Sequence, residues 1–232
     1  DGNKANQTSL GAAVVIYGSS GTKALRNIVR GCRFTNCNLD ALKLIYADRS
    51  IIQNNVIDEN TGGAGIGIFS SSQSNDILGN VLIHNAYGVY SNSHYNNVVG
   101  NIFVDNPSYG VYLNGVVNCN VSGNWFGSVA FYQTGVYLAA SAARNTITGN
   151  SFYQPYRAIL GAADANVIGN TINGNSIYLA NQEAIYMQAG ANQNTIVGNT
   201  IRATVQHAIR IRGSKNVISS NMLIDNGTGT NN

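Results

Sequence analysis

A small group of charged and phenolic residues in the C-terminal half of the chain has the types needed for acid–base chemistry. The candidates for catalysis are Arg157, Glu183, Tyr186, His207 and Arg210. Elimination at a uronic acid needs a cation on the carboxylate, a base for the C5 proton and an acid for the leaving oxygen. The arginines could supply the cation, and Tyr186, Tyr137 or His207 the base and the acid. Glycosidic hydrolysis needs two carboxylates roughly 5 to 10 Å apart, whereas Glu183 stands nearly alone. The alternative is that these residues form exposed ion pairs of little consequence.

The elements that would position these residues come from an internal repeat. The string Asn-x-Ile/Val-x-Gly-Asn occurs, for example, at Asn96–Asn101, Asn145–Asn150 and Asn194–Asn199. The last residue of the aligned strings recurs about every 24 residues, at Cys32, Asn55, Asn80, Asn101, Asn124, Asn150, Asn170, Asn199 and Asn221. Each repeat contains three short segments of alternating apolar residues, which predict strands rather than helices.

Three strands in a period of about 24 residues predict one turn of a three-sided coil. Stacked coils would pair each strand with its counterpart about 4.8 Å away, giving an all-β, right-handed parallel β-helix of about nine coils. Asparagines at one corner would form a ladder that satisfies buried polar groups. An apolar column follows each asparagine by two residues and should fill the core: Phe34, Ile57, Leu82, Phe103, Phe126, Phe152, Ile172, Ile201 and Leu223. We expect residues 1–232 to form a single β-helix domain that lacks an N-terminal cap or a preceding region.

Composition argues against several other classes of protein. Charged residues make up only 10% of the chain and the formal net charge is +3, without a basic run, so nucleic acid is not an expected partner. No apolar run approaches the roughly 18 residues of a membrane span. Cys32, Cys37 and Cys119 lack the spacing of a metal finger, and neither a metal site nor a cofactor is predicted from them.

The repeat resembles the right-handed β-helix superfamily of pectate lyases, polygalacturonases, alginate-modifying enzymes and phage tailspikes. Asp1-Gly-Asn3 is similar to a segment near the first coils of pectate-lyase-like and tailspike proteins. Arg210-Ile-Arg212 is similar to the Arg-Ile-Lys of polygalacturonases, but that family's other motifs are missing, as is the aspartate cluster of a calcium-dependent pectate lyase. The resemblance implies a substrate groove along one sheet and an extracellular or virion-associated protein.

The first strand of each coil should present one outward residue to that groove. This column reads Val15, Lys43, Gly67, Tyr90, Tyr112, Tyr137, Leu160, Tyr186 and Arg210. Its tyrosines form an aromatic strip whose rings suit the C–H faces of sugars, unless they only stack on one another. The predicted substrate-binding residues are Lys43, Tyr90, Tyr112, Tyr137 and Tyr156. The residues just before this strand add Arg157, Glu183 and His207 to the same patch, and long turns at 127–134 and 173–183 should wall one side of it.

A second candidate site consists of Glu59, His84 and Asp105, each four residues after an aligned asparagine on consecutive coils. At coil spacing they could form an acid–base trio or a weak metal site. The alternative, which we favour, is a buried or bridging polar corner.

The third strand of each coil has unexpectedly apolar outward positions, at Val56, Val81, Ile102, Trp125 and Met222. Contiguous apolar surface often marks an interface, and we expect a homo-oligomer, most simply a trimer like the tailspikes. The sequence as a whole predicts a β-helix that binds, or cleaves by elimination, an acidic polysaccharide. The alternative is a non-catalytic structural, adhesive or filament-forming β-helix.

Overall fold

The computed structural model describes residues 12–128 and 133–227, and within these residues the regular structure consists of β-strands. The strands form three nine-stranded parallel sheets and one two-stranded sheet, so the predicted β-helix of about nine coils is confirmed. The opening Asp1-Gly-Asn3 segment lies outside the described residues. No helix among the described residues has the length and apolar character needed to cross a membrane.

Each long sheet takes one strand from every coil. The first sheet contains Val14–Tyr17, Leu42–Ile45, Ala64–Phe69, Tyr87–Ser91, Tyr109–Leu113, Thr134–Leu138, Arg157–Gly161, Ile185–Met187 and Ile209–Ile211. The second contains Ile28–Arg30, Ile51–Gln53, Asp76–Leu78, Asn97–Val99, Asn120–Ser122, Thr146–Thr148, Thr171–Asn173, Thr195–Val197 and Val217–Ser219. The third contains Arg33–Thr35, Val56–Asp58, Val81–Ile83, Ile102–Val104, Trp125–Gly127, Ser151–Tyr153, Ser176–Tyr178, Thr200–Arg202 and Met222–Ile224. The short fourth sheet pairs Ala24–Leu25 with Ala47–Asp48.

Two-residue bends connect the second sheet to the third, and a left-handed residue precedes the asparagine at each of the three corners. In the third coil Ser74, Gly79 and His84 have φ values of 56°, 60° and 52°. Glycine adopts this conformation without steric cost, and short polar residues tolerate it better than most. The residue that follows each left-handed residue is a buried asparagine, at Asn75, Asn80 and Asn85. The three-residue strands of the second and third sheets are therefore joined by two-residue corners.

The predicted asparagine ladder is present. Asn124 is 1% exposed, and its Nδ2 donates to the Val98 carbonyl at 2.9 Å and to Asn150 Oδ1 at 3.0 Å. Its Oδ1 accepts from the Asn101 backbone N–H at 2.8 Å. Each side-chain amide thus forms hydrogen bonds with the coils on both sides. It pairs backbone groups that would otherwise be buried without a hydrogen-bond partner.

Two further ladders run along the other corners. The first asparagine of the repeated string, such as Asn145, lies in a separate ladder and donates to Asn170 Oδ1 at 3.0 Å. A shorter ladder joins Asn60, Asn85 and Asn106 through side-chain bonds of 2.6 and 3.2 Å. The string begins and ends with asparagine because its two ends occupy two corners, with a strand of the second sheet between them.

One coil was misaligned by the sequence pattern. Asn150 Nδ2 donates to Asn175 Oδ1 at 3.0 Å, so Asn175 and not Asn170 continues that ladder. The assignment of Ile172 to the third-sheet core column is also wrong, because Ile172 lies in the second sheet and Ile177 pairs with Phe152. The cause is a repeated pair: Gly169-Asn170 and Gly174-Asn175 are five residues apart, and both copies form corners.

The core column explains the small residues that begin the first-sheet strands. Phe103, Phe126 and Phe152 stack with ring centroids 4.7 Å apart at each step. A Cβ added to Gly110 would lie 2.6 Å from the ring of Phe126, and glycine is therefore required where a phenylalanine of the third sheet crosses the core.

Candidate functional site

The outward column of the first sheet lies in the register that the sequence indicated. Tyr90 pairs with Tyr112, Tyr112 pairs with Tyr137, and Tyr186 pairs with Arg210. Leu160 lies between Tyr137 and Tyr186 in this column. The first sheet therefore presents two separate features, an aromatic group toward the N-terminal coils and a charged group toward the C-terminal coils.

The aromatic group, here called the tyrosine cluster, consists of six rings in two adjacent stacks. Its members are Phe69, Tyr87, Tyr90, Tyr109, Tyr112 and Tyr137. Tyr90 lies 5.0 Å from Tyr112 with an interplanar angle of 8°, and Tyr109 lies 4.8 Å from Tyr137 at 16°. Sequence reasoning missed Phe69 as well as the pairing of Tyr109 with Tyr137. Phe69 joins because its ring crosses Gly67, which leaves the outward position of that coil vacant.

Stacking changes what the tyrosine cluster can offer to a ligand. The inner rings cover each other's faces, so ring edges and phenol oxygens are what remain accessible. Burial, together with neighbouring phenols, raises the pKa of Tyr109 and Tyr112, and burial raises that of Tyr137. These phenols therefore stay protonated at neutral pH and act as neutral hydrogen-bonding groups. The Tyr90 oxygen also accepts a hydrogen bond of 3.1 Å from Asn114 Nδ2.

A small cleft of about 110 Å³ opens at the N-terminal end of the tyrosine cluster. It is lined by Asp40, Gly63, Ala64, Phe69, Tyr87 and Tyr90. Lys43, a predicted substrate-binding residue, lies beside it with Nζ 3.2 Å from Asp40 Oδ2 and 5.0 Å from the Phe69 ring centroid. Asp40 Oδ1 accepts a hydrogen bond of 2.9 Å from the Ala64 N–H. The carboxylate is thus already engaged on both oxygens.

The charged group, here called the arginine cluster, is organised around one buried carboxylate. Glu183 is 1% exposed, and its Oε2 and Oε1 accept hydrogen bonds of 2.8 Å from Arg157 Nε and Arg210 Nη1 respectively. Both guanidinium groups also lie over the Tyr186 ring, at 5.6 and 5.1 Å from its centroid. Arg157 lies 4.8 Å from the ring of Tyr156 as well. Four of the five predicted catalytic residues therefore come together, with Tyr156 at their edge.

Electrostatics fix the protonation of this cluster. Burial by itself would raise the pKa of Glu183, but hydrogen bonds from Arg210 and Arg157 outweigh it and lower the pKa below its usual value. The hydrogen bond to Glu183 in turn raises the pKa of Arg210. Glu183 is therefore ionised with both oxygens occupied, which disqualifies it as a proton donor. Two cations and one anion leave one positive charge on this part of the first sheet.

His207 lies on the coil next to Glu183. Its carbonyl accepts a hydrogen bond of 3.0 Å from the Ala184 N–H, which places its backbone next to the residue that follows Glu183, and its side chain is exposed. His207 is thus the most solvent-exposed of the predicted catalytic residues. Tyr137 belongs to the tyrosine cluster and not to the charged group.

One of the two turns expected to wall the site differs from the prediction. Residues 173–183 are not one long turn, because Ser176–Tyr178 is a strand of the third sheet. In the other predicted turn, residues 129–132 lie outside the described residues.

The second candidate site does not converge on a ligand. Glu59, His84 and Asp105 are the left-handed residues of one corner, with φ values of 59°, 52° and 45°. His84 Nδ1 lies 3.4 Å from Asp58 Oδ1, and Glu59 Oε2 accepts a hydrogen bond of 3.1 Å from Asn36 Nδ2. No group of three or more His, Cys, Asp or Glu side chains in 12–128 and 133–227 is placed to hold a metal ion, so the metal alternative is wrong for this trio.

Two family models match the chain. Residues 1–126 match the model described as right handed beta helix region, and residues 107–231 match the model described as periplasmic copper-binding protein (NosD). No curated protein matches the chain.

Several solved structures share the fold. The A-module of a mannuronan C-5 epimerase of Azotobacter vinelandii superposes with a TM-score of 0.76 at 19% identity, covering 86% of this chain and 58% of that one. A mutant of the periplasmic alginate epimerase AlgG gives 0.66 at 12% identity, with 84% and 50% covered. DFA-IIIase from Arthrobacter chlorophenolicus gives 0.67 at 15% identity, with 90% and 67% covered. This chain spans half or slightly more of the length of the two epimerase structures.

Proposed function

Because the chain belongs to the right-handed β-helix family, we propose that it binds an acidic polysaccharide along the first sheet. The observation that carries this proposal is the arginine cluster, in which two guanidinium groups converge on one buried carboxylate and leave one positive charge uncompensated. The names of the mannuronan and alginate epimerases among the similar structures support a uronate polymer as the ligand.

The guanidinium groups of Arg157 and Arg210 are preorganised for binding an anionic ligand. The side chains of Arg157 and Arg210 are 18% and 42% exposed, and Arg210 uses only Nη1 on Glu183. Its remaining donors can form charge-assisted hydrogen bonds to a carboxylate, which are stronger than neutral ones. Glu183 and Tyr186 hold the guanidinium groups in place, so little side-chain entropy is lost when the ligand binds. Phenol oxygens of the tyrosine cluster would meet sugar hydroxyls further along the sheet.

Elimination is the reaction that this arrangement suits best. Arg210 would neutralise the uronate carboxylate, the exposed His207 would take the C5 proton, and Tyr186 would give a proton to the leaving oxygen at C4. The C5–H and C4–O bonds break and a C4–C5 double bond forms. Hydrolysis is less suited, because both oxygens of Glu183 are engaged and its pKa is lowered by the arginines that outweigh its burial. Glu183 is therefore a positioning residue in this scheme.

One experiment tests binding and reaction together. Polymannuronate, polyguluronate, polygalacturonate and neutral dextran are each titrated into the protein by calorimetry, and unsaturated products are followed by ultraviolet absorbance. We expect a uronate polymer to bind, and Arg210→Ala to weaken that binding at least about tenfold, the equivalent of roughly 1.4 kcal/mol. The matched control is Arg202→Ala, on the third sheet, whose side chain is 59% exposed. Equal losses in both variants, or no binding by the folded protein, would overturn the proposal.

The second candidate function is a non-catalytic structural or adhesive β-helix. The stacking of the tyrosine cluster favours it, because rings that satisfy one another need no ligand. Uronate binding without ultraviolet-absorbing products would support an adhesive role. Neither binding nor ultraviolet-absorbing products would support a structural role.

The setting we propose is outside the cytoplasm, since the second family model and one epimerase are named as periplasmic. The copper in the name of that family model is not assigned to this chain. The donor set does not fit, because no cluster of three His, Cys, Asp or Glu side chains occurs in the part of the chain that the structure describes.

A further inference from the structure

The third sheet carries exposed aromatic rings on three consecutive coils. Trp125, Tyr153 and Tyr178 are 40%, 43% and 39% exposed. Gly127 pairs in register with Tyr153, and Tyr153 pairs with Tyr178. A Cβ added to Gly127 would lie 2.5 Å from Cζ3 and 2.7 Å from Cζ2 of Trp125, so the indole covers the position that a side chain of Gly127 would occupy. The three rings therefore follow one line along the sheet, here called the third-sheet aromatic row.

The aromatic row differs from the tyrosine cluster in what it exposes. In the tyrosine cluster, neighbouring rings cover each other's faces. In the aromatic row, the indole of Trp125 covers a glycine backbone, which leaves its other face toward solvent. The rings of Tyr153 and Tyr178 are 5.9 Å apart and tilted by 32°, so they do not form a closed stack. The open aromatic faces expected from the sequence on the first sheet are thus found on the third.

A column of hydroxyl groups runs beside the aromatic row. Trp125 pairs with Ser151, Ser151 pairs with Ser176, and Ser176 pairs with Thr200, and these three hydroxyl residues are exposed. The third-sheet strands from Val81–Ile83 to Ser176–Tyr178 contain no charged residue. The flanking strands carry Asp58 and Arg202, and Arg202 pairs in register with Tyr178, with its Nε 4.0 Å from Asp225 Oδ2. A ligand lying over Trp125, Tyr153 and Tyr178 would meet aromatic faces and hydroxyls, and the guanidinium of Arg202 at the end of the row already has a carboxylate neighbour in Asp225.

We propose that the third-sheet aromatic row is a second carbohydrate-binding surface, and that it takes neutral hexose oligomers rather than uronates. Aromatic faces match the apolar C–H face of a hexose ring, and the adjacent hydroxyls match its equatorial oxygens. A uronate over Trp125 and Tyr153 would lose hydration of its carboxylate without gaining a charged partner. A second copy of the chain is a poorer fit to the row, because the exposed hydroxyl column would be buried at such an interface and need partners of its own.

The chain contains a single tryptophan, which makes Trp125 a direct reporter of this surface. Hexamers of glucose, mannose, galactose, N-acetylglucosamine and fructose, together with hexamannuronate, are each titrated while tryptophan emission is recorded. We expect a saturable change with at least one neutral hexamer and none with hexamannuronate. The Tyr153→Ala, Tyr178→Ala double variant should weaken the neutral interaction about tenfold. Val217→Ala, which removes an exposed aliphatic side chain (55%) on the second sheet, should change it less than twofold.

Two further variants separate binding at the aromatic row from binding at the first sheet. Gly127→Ala keeps the indole but forces it off the sheet, so it should alter tryptophan emission and weaken binding while the fold is retained. Arg210→Ala, on the first sheet, should leave the neutral interaction unchanged, which distinguishes a failure here from a failure of the acidic-glycan proposal. The inference is overturned if no neutral hexamer changes the emission, or if hexamannuronate changes it equally. It is also overturned if sedimentation shows an oligomer that Trp125→Ala dissociates, since a second copy would then occupy the row.

Discussion

Replacing Glu183 by glutamine should weaken the fold and strengthen binding of an acidic glycan. The change leaves Arg157 and Arg210 without their shared counter-ion, although glutamine can still accept one hydrogen bond through Oε1. Loss of one partner of a buried pair costs about 3–5 kcal/mol, whereas exposed pairs contribute about 0–1 kcal/mol. Because Glu183 is buried while Arg210 is 42% exposed, we expect an intermediate loss, about 2–3 kcal/mol in the free energy of unfolding.

The assay for stability is thermal unfolding as a function of pH. For a chain of this size a loss of that magnitude lowers Tm by about 5–10 °C. The folded-state pKa of Glu183 lies below its unfolded value, so its stabilising contribution is complete above the usual value of 4.5 and is lost as the pH falls through the lowered pKa. The difference between wild type and Glu183→Gln should therefore shrink in acid. Glu59→Gln removes the same charge at an exposed corner and should change Tm by less than about 2 °C.

Binding distinguishes the roles that Glu183 could play. Without the carboxylate the arginine cluster carries two uncompensated charges instead of one, and polymannuronate should bind about fivefold more tightly, or roughly 1 kcal/mol. An unchanged Tm would refute the argument that the ion pairs stabilise the fold. Loss of polymannuronate binding would show that the Glu183 carboxylate itself contacts the ligand.

Three other predictions concern the scaffold. Asn124→Ala leaves the Asn101 N–H and the Val98 carbonyl unpaired, so it should lower the free energy of unfolding, measured by chemical denaturation, by about 3 kcal/mol. Asn221→Ala, at the partly exposed last coil, should lower it by about 1 kcal/mol. Gly110→Ala should cost about 1–3 kcal/mol by overpacking against Phe126, whereas Gly21→Ala, where a Cβ meets nothing within 4 Å, should be neutral. Burial raises the folded-state pKa of Tyr137 above its usual 10.0, so thermal stability should decline as the pH rises above about 10, and ultraviolet titration of the folded protein should show delayed ionisation.

The fold could be predicted from the sequence because its determinants are periodic. Each coil repeats the same corner chemistry, so the spacing of Asn80, Asn101 and Asn124 revealed the coil length without any knowledge of contacts. The error at Asn170 shows where this reasoning fails. A Gly-Asn pair occurs at two corners of one coil, and a pattern alone does not say which corner a given copy occupies.

The candidate site was only partly predictable, for a different physical reason. Strand alternation sufficed to place Tyr186 and Arg210 on the outward face. It could not show that Arg157 reaches across a coil to Glu183, because that contact depends on side-chain rotamers. For the same reason, the sequence did not show that the ring of Phe69 covers Gly67 and stacks on Tyr90. The expected strip of open rings is therefore a closed stack.

Protection of single arginines against chemical modification tests the central claim most directly. Phenylglyoxal reacts with exposed guanidinium groups, and the modified residues are identified by mass spectrometry with and without polymannuronate. Binding along the first sheet predicts that polymannuronate slows modification of Arg210, while Arg202 on the third sheet reacts at an unchanged rate. Equal rates at Arg210 in both conditions, or protection of Arg202 instead, would contradict the proposal that the arginine cluster binds an acidic polysaccharide.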